Sequence, residues 1–484
     1  MSSPRSLPTR ALILAAGRGS RIGKDESKPL VPVLGVPLLA RTLFTLEKAG
    51  ITDAYVVVGY EAQRVRREID AIRRLGLRVH WIENERWRES NGVSVLAAEA
   101  ALTADAEEDE SFVLTMADHV FEAGAVKRLR EVAEKDRGLS LLVDRRVEEV
   151  HDLEDATKVR TRGGRIEEIG KGLESFDAVD TGLFLATPAL FRVLRTLDAG
   201  ESPGPSLSDG VRRLAREGEA WVVPGGDLTW QDVDTPADVQ EAERKLLGAW
   251  PKPTDGPVSR LINRPISLAI SRRLAGTGIT PNQISVLTLI MGLLAGLFAA
   301  VGGYAWWLAS GLLFQVASIL DGTDGELAIL TFRTSPQGAW VDTVCDNVSY
   351  VAFLLGILVG VHRADLPPFY LWTGLAGLGA ALLSLANINL YLLREGRSGS
   401  ALSVRYGFEE GDGIVQRVMR GLHYLGKRDL LSFLAFVLAL LGQLPLALPL
   451  FGVGATLLLL PATVKANISL YLRNRKLDSA QAGS

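Results

Sequence analysis

The chain changes its hydrophobic rhythm near residue 275. Before that point short apolar runs alternate with stretches of helical period. The runs are Ala11–Ala16, Ala54–Val58, Arg78–Ile82, Ser111–Met116, Leu139–Val143 and Val179–Leu185; Leu38–Ala49 and Ala125–Lys135 lie between them. Short apolar strands separated by amphipathic helices predict an α/β, Rossmann-like domain with a mostly parallel sheet. A helix near Pro236–Leu247 closes it, which places the domain over 1–250. The Pro- and Gly-rich stretch that begins at Trp250 predicts a linker over 251–257.

Beyond the linker the pattern becomes that of a membrane protein. Residues 258–283 mix Arg260, Arg264, Arg272 and Arg273 with Leu261, Ile262, Ile266 and Leu268, the composition of an interfacial amphipathic helix. From 284 to 484 long uncharged stretches dominate: 284–303, 304–320, 367–393 and 430–464, with 338–361 charged only at Asp342 and Asp346. A span of about 20 apolar residues crosses a bilayer, and 430–464 is long enough for two, with Pro445 and Pro449 near its middle. The expectation is an all-α integral membrane domain of six transmembrane helices. Basic residues set its orientation. Arg394, Arg397, Arg405, Arg417, Arg420, Lys427 and Arg428 fall in one loop, whereas the opposite turns hold only Arg363. The N-terminal domain, that loop and both ends of the chain are therefore expected in the cytoplasm, on a multi-pass protein of the cell membrane.

Composition adds limits. Lys plus Arg total 53 and Asp plus Glu 56, a net charge of −3, which argues against nucleic acid as a partner. One cysteine, Cys345, excludes an intrachain disulfide framework. No signal peptide is expected, because the first apolar run is short and leads into a glycine loop.

That loop carries the first candidate chemistry. Leu14-Ala15-Ala16-Gly17-Arg18-Gly19-Ser20-Arg21 is followed by Lys28-Pro29-Leu30. Gly17 and Gly19 free backbone N–H groups for an anion, and Arg21 and Lys28 add positive charge suited to a triphosphate. Asp118 ends the fourth apolar run, at the edge where α/β sheets bind ligands. Asp232 and Asp234 stand in Trp230-Gln-Asp-Val-Asp-Thr-Pro236. Together these motifs resemble the sugar-1-phosphate nucleotidyltransferase family over roughly 9–248. The resemblance implies that Asp118 and Asp232, with Asp234 as a further candidate, hold Mg²⁺. It further implies that Ala15, Ala16, Gly17, Gly19 and Arg21 bind nucleotide, that Lys28 neutralises the α-phosphate, and that Lys171 grips the acceptor phosphate. Plainer readings stand beside these: Asp234 as a helix cap, Lys171 as a solvated strand-end lysine, Asn91 as a turn or cap rather than a base contact, and His119 as a packing or orienting residue.

The second candidate site lies at the membrane boundary. Asp321 and Asp324 are i, i+3, and Asp342 and Asp346 are i, i+4, so each pair shares a helix face. Four carboxylates there are costly unless they bind cations, and two facing helices suit a divalent, binuclear-type centre of hard oxygen ligands. With Gly322, Gly325, Ala328 and Gly338 they resemble the signature of the CDP-alcohol phosphotransferases, except that Ile329 stands at the signature arginine. The resemblance implies Mg²⁺, with Mn²⁺ as the alternative, on Asp321, Asp324 and Asp342, room at Gly325 and Gly338 for a nucleotide diphosphate, and Asp346 as general base that also shares a metal. Arg333, one turn on, is the expected substitute for the missing arginine.

The two domains in one chain resemble the family of bifunctional CTP:inositol-1-phosphate cytidylyltransferase/di-myo-inositol-phosphate-phosphate synthases. That family resemblance implies CTP and inositol 1-phosphate as substrates, CDP-inositol as the shared intermediate, and a homodimer through the spans. Two alternatives remain open on the residues alone. One is a phospholipid headgroup synthase, and the other a cytidylyltransferase on a non-catalytic membrane anchor.

Overall fold

The computed structural model describes residues 7–19, 21–22, 27–72, 74–104, 110–132, 138–198, 203–252, 255–395, 428–469 and 471. The chain divides into two compact units, Met1–Gly248 and Ala249–Ser484.

In the first unit, nine strands form one sheet: β1 (Arg10–Ala15), β2 (Asp53–Val58), β3 (Arg78–Glu83), β4 (Phe112–Met116), β5 (Leu139–Asp144), β6 (Lys158–Arg162), β7 (Arg165–Gly170), β8 (Ala178–Ala186) and β9 (Ala220–Pro224). Their order is β3-β2-β1-β4-β8-β5-β9-β7-β6. Strands β3, β2, β1 and β4 run parallel, as do β5 and β9. The expectation of a mostly parallel sheet needs correction here. Strand β8 runs antiparallel to both β4 and β5, and the β6–β7 hairpin is antiparallel as well. An apolar run such as Val179–Leu185 reads the same in either direction, so pattern alone carries no strand polarity. Strands β6 and β7 lack a long apolar run because their buried apolar residues, Val159, Ile166 and Ile169, stand singly among polar, more exposed neighbours.

Strand β1 is buried nearly throughout, with Ala11, Leu12 and Ile13 inaccessible to solvent, as expected for a central parallel strand. Its carboxyl end releases the glycine loop, and the end of β4 releases Ala117-Asp118. Just beyond, His119–Phe121 pairs antiparallel with Trp230–Asp232, with His119 opposite Asp232. The Val233 N–H donates to the Asp118 carbonyl at 3.0 Å. This two-stranded ribbon therefore brings together two aspartates more than a hundred residues apart in sequence.

In the second unit, a π-type stretch Ser259–Asn263 leads into α1 (Arg264–Ala275). The segment expected as one interfacial helix over 258–283 is thus divided. Gly276 and Gly278 break it, and a Thr280–Gln283 capping box with Pro281 starts the next helix. The helices that follow are α2 (Pro281–Val301), α3 (Tyr304–Leu330), α4 (Pro336–Arg363), α5 (Pro368–Glu395), α6 (Arg428–Leu440) and α7 (Ala447–Gly454), the last continuing helically to Ser469. Among the described residues four helices are long and apolar enough to cross a membrane: Pro281–Val301, Pro336–Arg363, Pro368–Tyr391 and Leu444–Ser469. Helix α3 carries Asp321, Asp324 and Glu326 in its last turns, and α6 is described over 13 residues. The division expected within 430–464 falls at Gly442, whose φ of +71° turns the chain into a 3₁₀ turn, Leu444–Leu446.

Helices α2 and α4 meet backbone to backbone. A Cβ on Gly292 would meet Ser349, one on Gly296 the Ala352 carbonyl, and one on Gly356 the Gly296 carbonyl. Close approach of small residues is how helices associate where lipid offers no hydrophobic drive. Beside this seam Phe314 of α3 stacks on Phe353 of α4 at 3.9 Å between centroids.

Candidate active sites

The first unit builds a cavity of about 310 Å³ whose lining includes Arg21, Asp118, His119, Lys171, Asp232 and Asp234. Gly19 sits at φ +70°, and a Cβ there would collide with the Lys28 side chain, so the glycine sets how tightly the loop folds over that lysine. Gly17 instead faces open space. Lys28 opens the 3₁₀ turn Lys28–Leu30 and drives its ammonium between Asp118 and Asp234. Arg21 pairs with Asp234 at 2.7 Å and with Asp155 at 2.8 Å. Asp155 holds Lys171 at 2.7 Å, so one carboxylate ties two of the three predicted phosphate-binding cations, Arg21 and Lys171.

The electrostatics follow from burial and crowding. Burial works against the Lys28 charge, but Asp118, Asp232 and Asp234 outweigh it and hold the ammonium above its ordinary range. Burial likewise opposes ionisation of Asp118, and Lys28 and His119 reverse that, keeping it below the usual carboxylate range. Burial opposes the His119 charge too, yet Asp232 and Asp118 push the imidazole up to about 9. Its Nδ1 donates to Asp118 at 2.8 Å and lies 3.8 Å from Asp232. Asp232 is raised to about 6, by burial first and then by the charges of Asp118 and Asp234. Its Oδ1 is shielded from solvent without a hydrogen-bond partner. Ligand atoms of Asp118, His119 and Asp232 all lie within 4.8 Å of one another. An orphaned, buried carboxylate oxygen beside a second carboxylate is the donor set a hard divalent cation takes, so these residues fit a metal.

In the second unit α3 presents Asp321 and Asp324, and α4 presents Asp342 and Asp346. Ligand atoms of Asp321, Asp324 and Asp342 lie within 4.8 Å of one another. The Ser285 hydroxyl on α2 donates to Asp324 at 2.5 Å. Arg428, at the start of α6, reaches Asp321 at 3.2 Å and forms an ion pair with Asp346. Asp346 Oδ1 has no hydrogen-bond partner and is shielded from solvent. Asp321, Asp324 and Asp342 converge as hard oxygen ligands would for a divalent cation, while Asp346 is held beside them by Arg428.

Two family matches divide the chain as the two units do. Residues 11–154 match the MobA-like NTP transferase domains, and residues 278–458 match the CDP-alcohol phosphatidyltransferases. Relatives match across most of the chain. The bifunctional IPC transferase and DIPP synthase of Thermococcus kodakarensis is 35% identical over 379 residues, covering 78% of this chain and 82% of that protein. The chain belongs to this bifunctional family. Its relative of the same name in Archaeoglobus fulgidus is 33% identical over 441 residues, covering 90% of this chain and 79% of that protein. The one in Rubrobacter xylanophilus is 39% identical over 362 residues, covering 72% and 77%.

The predicted residues of this family member fall into distinct surroundings. The structure brings Arg21, Lys28, Asp118, Asp232 and Asp234 together, with Lys171 linked through Asp155. Ala15 and Ala16 are buried at the end of β1 and its loop. Asn91 lines the cavity, and its side-chain carbonyl accepts the Leu207 N–H at 2.8 Å, so it caps the helix Leu207–Glu217 as well. In the membrane unit Gly325 faces open space, while Gly338 packs on Ser335 and Asn282. The missing Cβ of Gly322 leaves room for Arg264 and Ser267 of α1. Ala328 is half-buried, and its carbonyl accepts the Arg333 N–H.

Arg333, expected to stand in for the missing signature arginine, is turned toward the backbone before α2. Its guanidinium donates to the Ile279 carbonyl at 3.2 Å, before α2. The cation that meets the aspartates is Arg428, which sequence reading groups with the basic residues of its loop. Asp155 and Ser285 were missed for a similar reason: each lies outside a recognisable motif, and only the fold brings it to the site.

Proposed function

We propose that this chain carries out two consecutive reactions: it makes CDP-inositol from CTP and L-myo-inositol 1-phosphate, then joins CDP-inositol to a second inositol 1-phosphate. The observation that carries this reading is the presence, in one chain of the bifunctional family, of two separate carboxylate clusters, each in its own unit. In the first unit the acceptor's phosphate oxygen attacks the α-phosphorus of CTP, the α–β bridge breaks, and pyrophosphate leaves. Lys28 neutralises the α-phosphate, Arg21 and the glycine loop hold the triphosphate, and Lys171 holds the acceptor. The protein works by positioning and by charge. In the membrane unit Asp346 takes the proton of an inositol hydroxyl. That oxygen attacks the phosphorus bearing the first inositol, and CMP leaves.

Asp118 and Asp232, with Asp234, would hold Mg²⁺ in the first unit, and Asp321, Asp324, Asp342 and Asp346 would hold Mg²⁺ or Mn²⁺ in the second, where the cation polarises phosphate oxygens. The fuller membrane reading is six spans in a lipid bilayer, with both sites facing the cytoplasm and a homodimer through the spans. The basic residues of the 392–429 loop support that orientation.

The test incubates membranes holding the full chain with CTP, Mg²⁺ and labelled inositol 1-phosphate. A water-soluble product with two inositols is expected. A chloroform-soluble product would instead identify a lipid headgroup synthase, and accumulation of CDP-inositol alone would leave the second unit as an anchor.

A further inference from the structure

The turn of α3 that carries two of the aspartates is gripped from its other side by a buried ion pair. Glu326 is two residues beyond Asp324, hence on a different face of the helix. Its side chain is wholly buried. One carboxylate oxygen accepts from Arg264 at 2.7 Å and from the Ser267 hydroxyl at 2.6 Å, and the other accepts from the Ser271 hydroxyl at 2.7 Å. All three donors stand on α1. Arg264 is itself fixed, bonded twice to Asp255 at 2.9 and 3.2 Å and stacked over the Trp250 ring at 4.6 Å. Gly322, between Asp321 and Asp324, faces α1, and a Cβ there would lie 3.3 Å from Arg264 and 3.4 Å from Ser267.

A satisfied, buried charge pair of this kind contributes more to unique geometry than to net stability. Its partners here are arranged to fix one rotational setting of α3. Ser285 holds Asp324 from one side, and Arg264, Ser267 and Ser271 hold Glu326 from another. We propose that Glu326 and Arg264 are positioning residues for the phosphotransfer reaction. They hold the turn Asp321–Asp324 at the azimuth its ligand oxygens need. The segment expected to lie on the membrane surface, α1, thereby becomes a structural wall of the site. This inference rests on the proposed transfer from CDP-inositol.

The experiment uses the full chain in detergent, with Glu326→Gln and Arg264→Lys. Glutamine keeps the shape but loses the charge, and lysine keeps the charge but cannot fork between Asp255 and Glu326. Transfer from added CDP-inositol, separated into kcat and KM, is measured beside the Mg²⁺ concentration that half-saturates the rise in thermal midpoint. A displacement of about 1 Å at a reacting group costs on the order of 10²-fold in rate. Glu326→Gln is therefore expected to lower kcat about 10- to 100-fold with KM within a few-fold, and to shift the Mg²⁺ half-saturation several-fold. Arg264→Lys should fall between it and wild type. CDP-inositol synthesis from CTP should stay unchanged in both and reports that the chain has folded.

Should Glu326→Gln fail to fold, Ser267→Ala with Ser271→Ala decides, since it removes two of the three donors and leaves the ion pair. A smaller fall in kcat with the same Mg²⁺ shift is expected there. A lowered thermal midpoint with unaltered kcat and Mg²⁺ half-saturation would reduce the pair to a helix staple and overturn the proposal. Wild-type protein that makes CDP-inositol but never consumes it would instead overturn the underlying function.

Discussion

The two carboxylate clusters differ in how their charge is met. In the α/β unit Asp118, Asp232 and Asp234 are faced by Lys28, Arg21 and His119, cation for carboxylate. In the membrane unit, among the described residues, Arg428 meets Asp321 and Asp346, and Ser285 adds one hydrogen bond to Asp324. The first site is arranged to receive a polyanion: its cations can transfer from carboxylates to phosphates as substrate enters. The second gathers four carboxylates with less cationic charge against them, a crowding that a divalent cation would relieve. The contrast suits a triphosphate in one site and a diphosphate ester, brought with its metal, in the other.

The contrast breaks most sharply at the aspartates. Asp118→Ala should abolish CDP-inositol formation and leave transfer from supplied CDP-inositol intact. Asp346→Asn should do the reverse, lowering transfer about 10²–10⁴-fold as expected for loss of a general base. Equal loss of both activities in either folded variant would show that the two sites are not independent.

Arg428 sharpens the comparison, because among the described residues it is the cation paired with the second cluster. Arg428→Gln should tighten the Mg²⁺ response of the thermal midpoint, by removing a competing positive charge. Transfer should fall about tenfold, in line with loss of one charge-assisted contact. Lys28→Gln should leave that midpoint response of the membrane unit unmoved and suppress CDP-inositol synthesis.

The readable part of these sites was the part with fixed spacing. Helical period places Asp321 beside Asp324 and Asp342 beside Asp346 whatever the rest of the chain does, and the glycine loop with Lys28 is a local motif. What stayed hidden depends on distant pairing. Arg428 is 107 residues from Asp321 and looks in sequence like any other basic residue of its loop. Asp155 meets Lys171 and Arg21 only because strands β6 and β7 fold beside the cavity. The reversed direction of β8 was hidden because an apolar run has no polarity, and the end of the interfacial helix because Gly276 weighed less in the pattern than the arginines before it.

Two smaller effects test the frame around the first cluster. Gly19→Ala forces a Cβ into the left-handed region and against Lys28. It should destabilise the α/β unit by about 1 kcal/mol or more and slow CDP-inositol synthesis, with transfer from added CDP-inositol unchanged. Farther from the site, Asp53 on β2 faces Arg78 on β3, with two hydrogen bonds of 2.7 and 2.8 Å. Those bonds to Arg78, joined by His80 and Thr52 against a burial penalty, hold the carboxyl well below the usual range. A depressed folded pKa gives stability that is complete above the unfolded pKa of about 3.9 and drains away as pH falls toward the folded value. Asp53→Asn should cost about 0.5–1 kcal/mol at pH 7, as for a largely solvent-screened pair. The gap from wild type should narrow in denaturant titrations below about pH 4.

The seam between α2 and α4 has a consequence for inheritance rather than for chemistry. Gly356 lies ten residues from Asp346, about 15 Å along the helix at 1.5 Å per residue. Its Cα faces the Gly296 carbonyl with no side chain to cushion a change. A methyl group there would pry the helices apart, and the rigid rod would carry the tilt to its far end, where Asp342 and Asp346 sit. A genetic screen for lost phosphotransfer should therefore recover lesions well away from the carboxylates, at glycines that never meet a substrate.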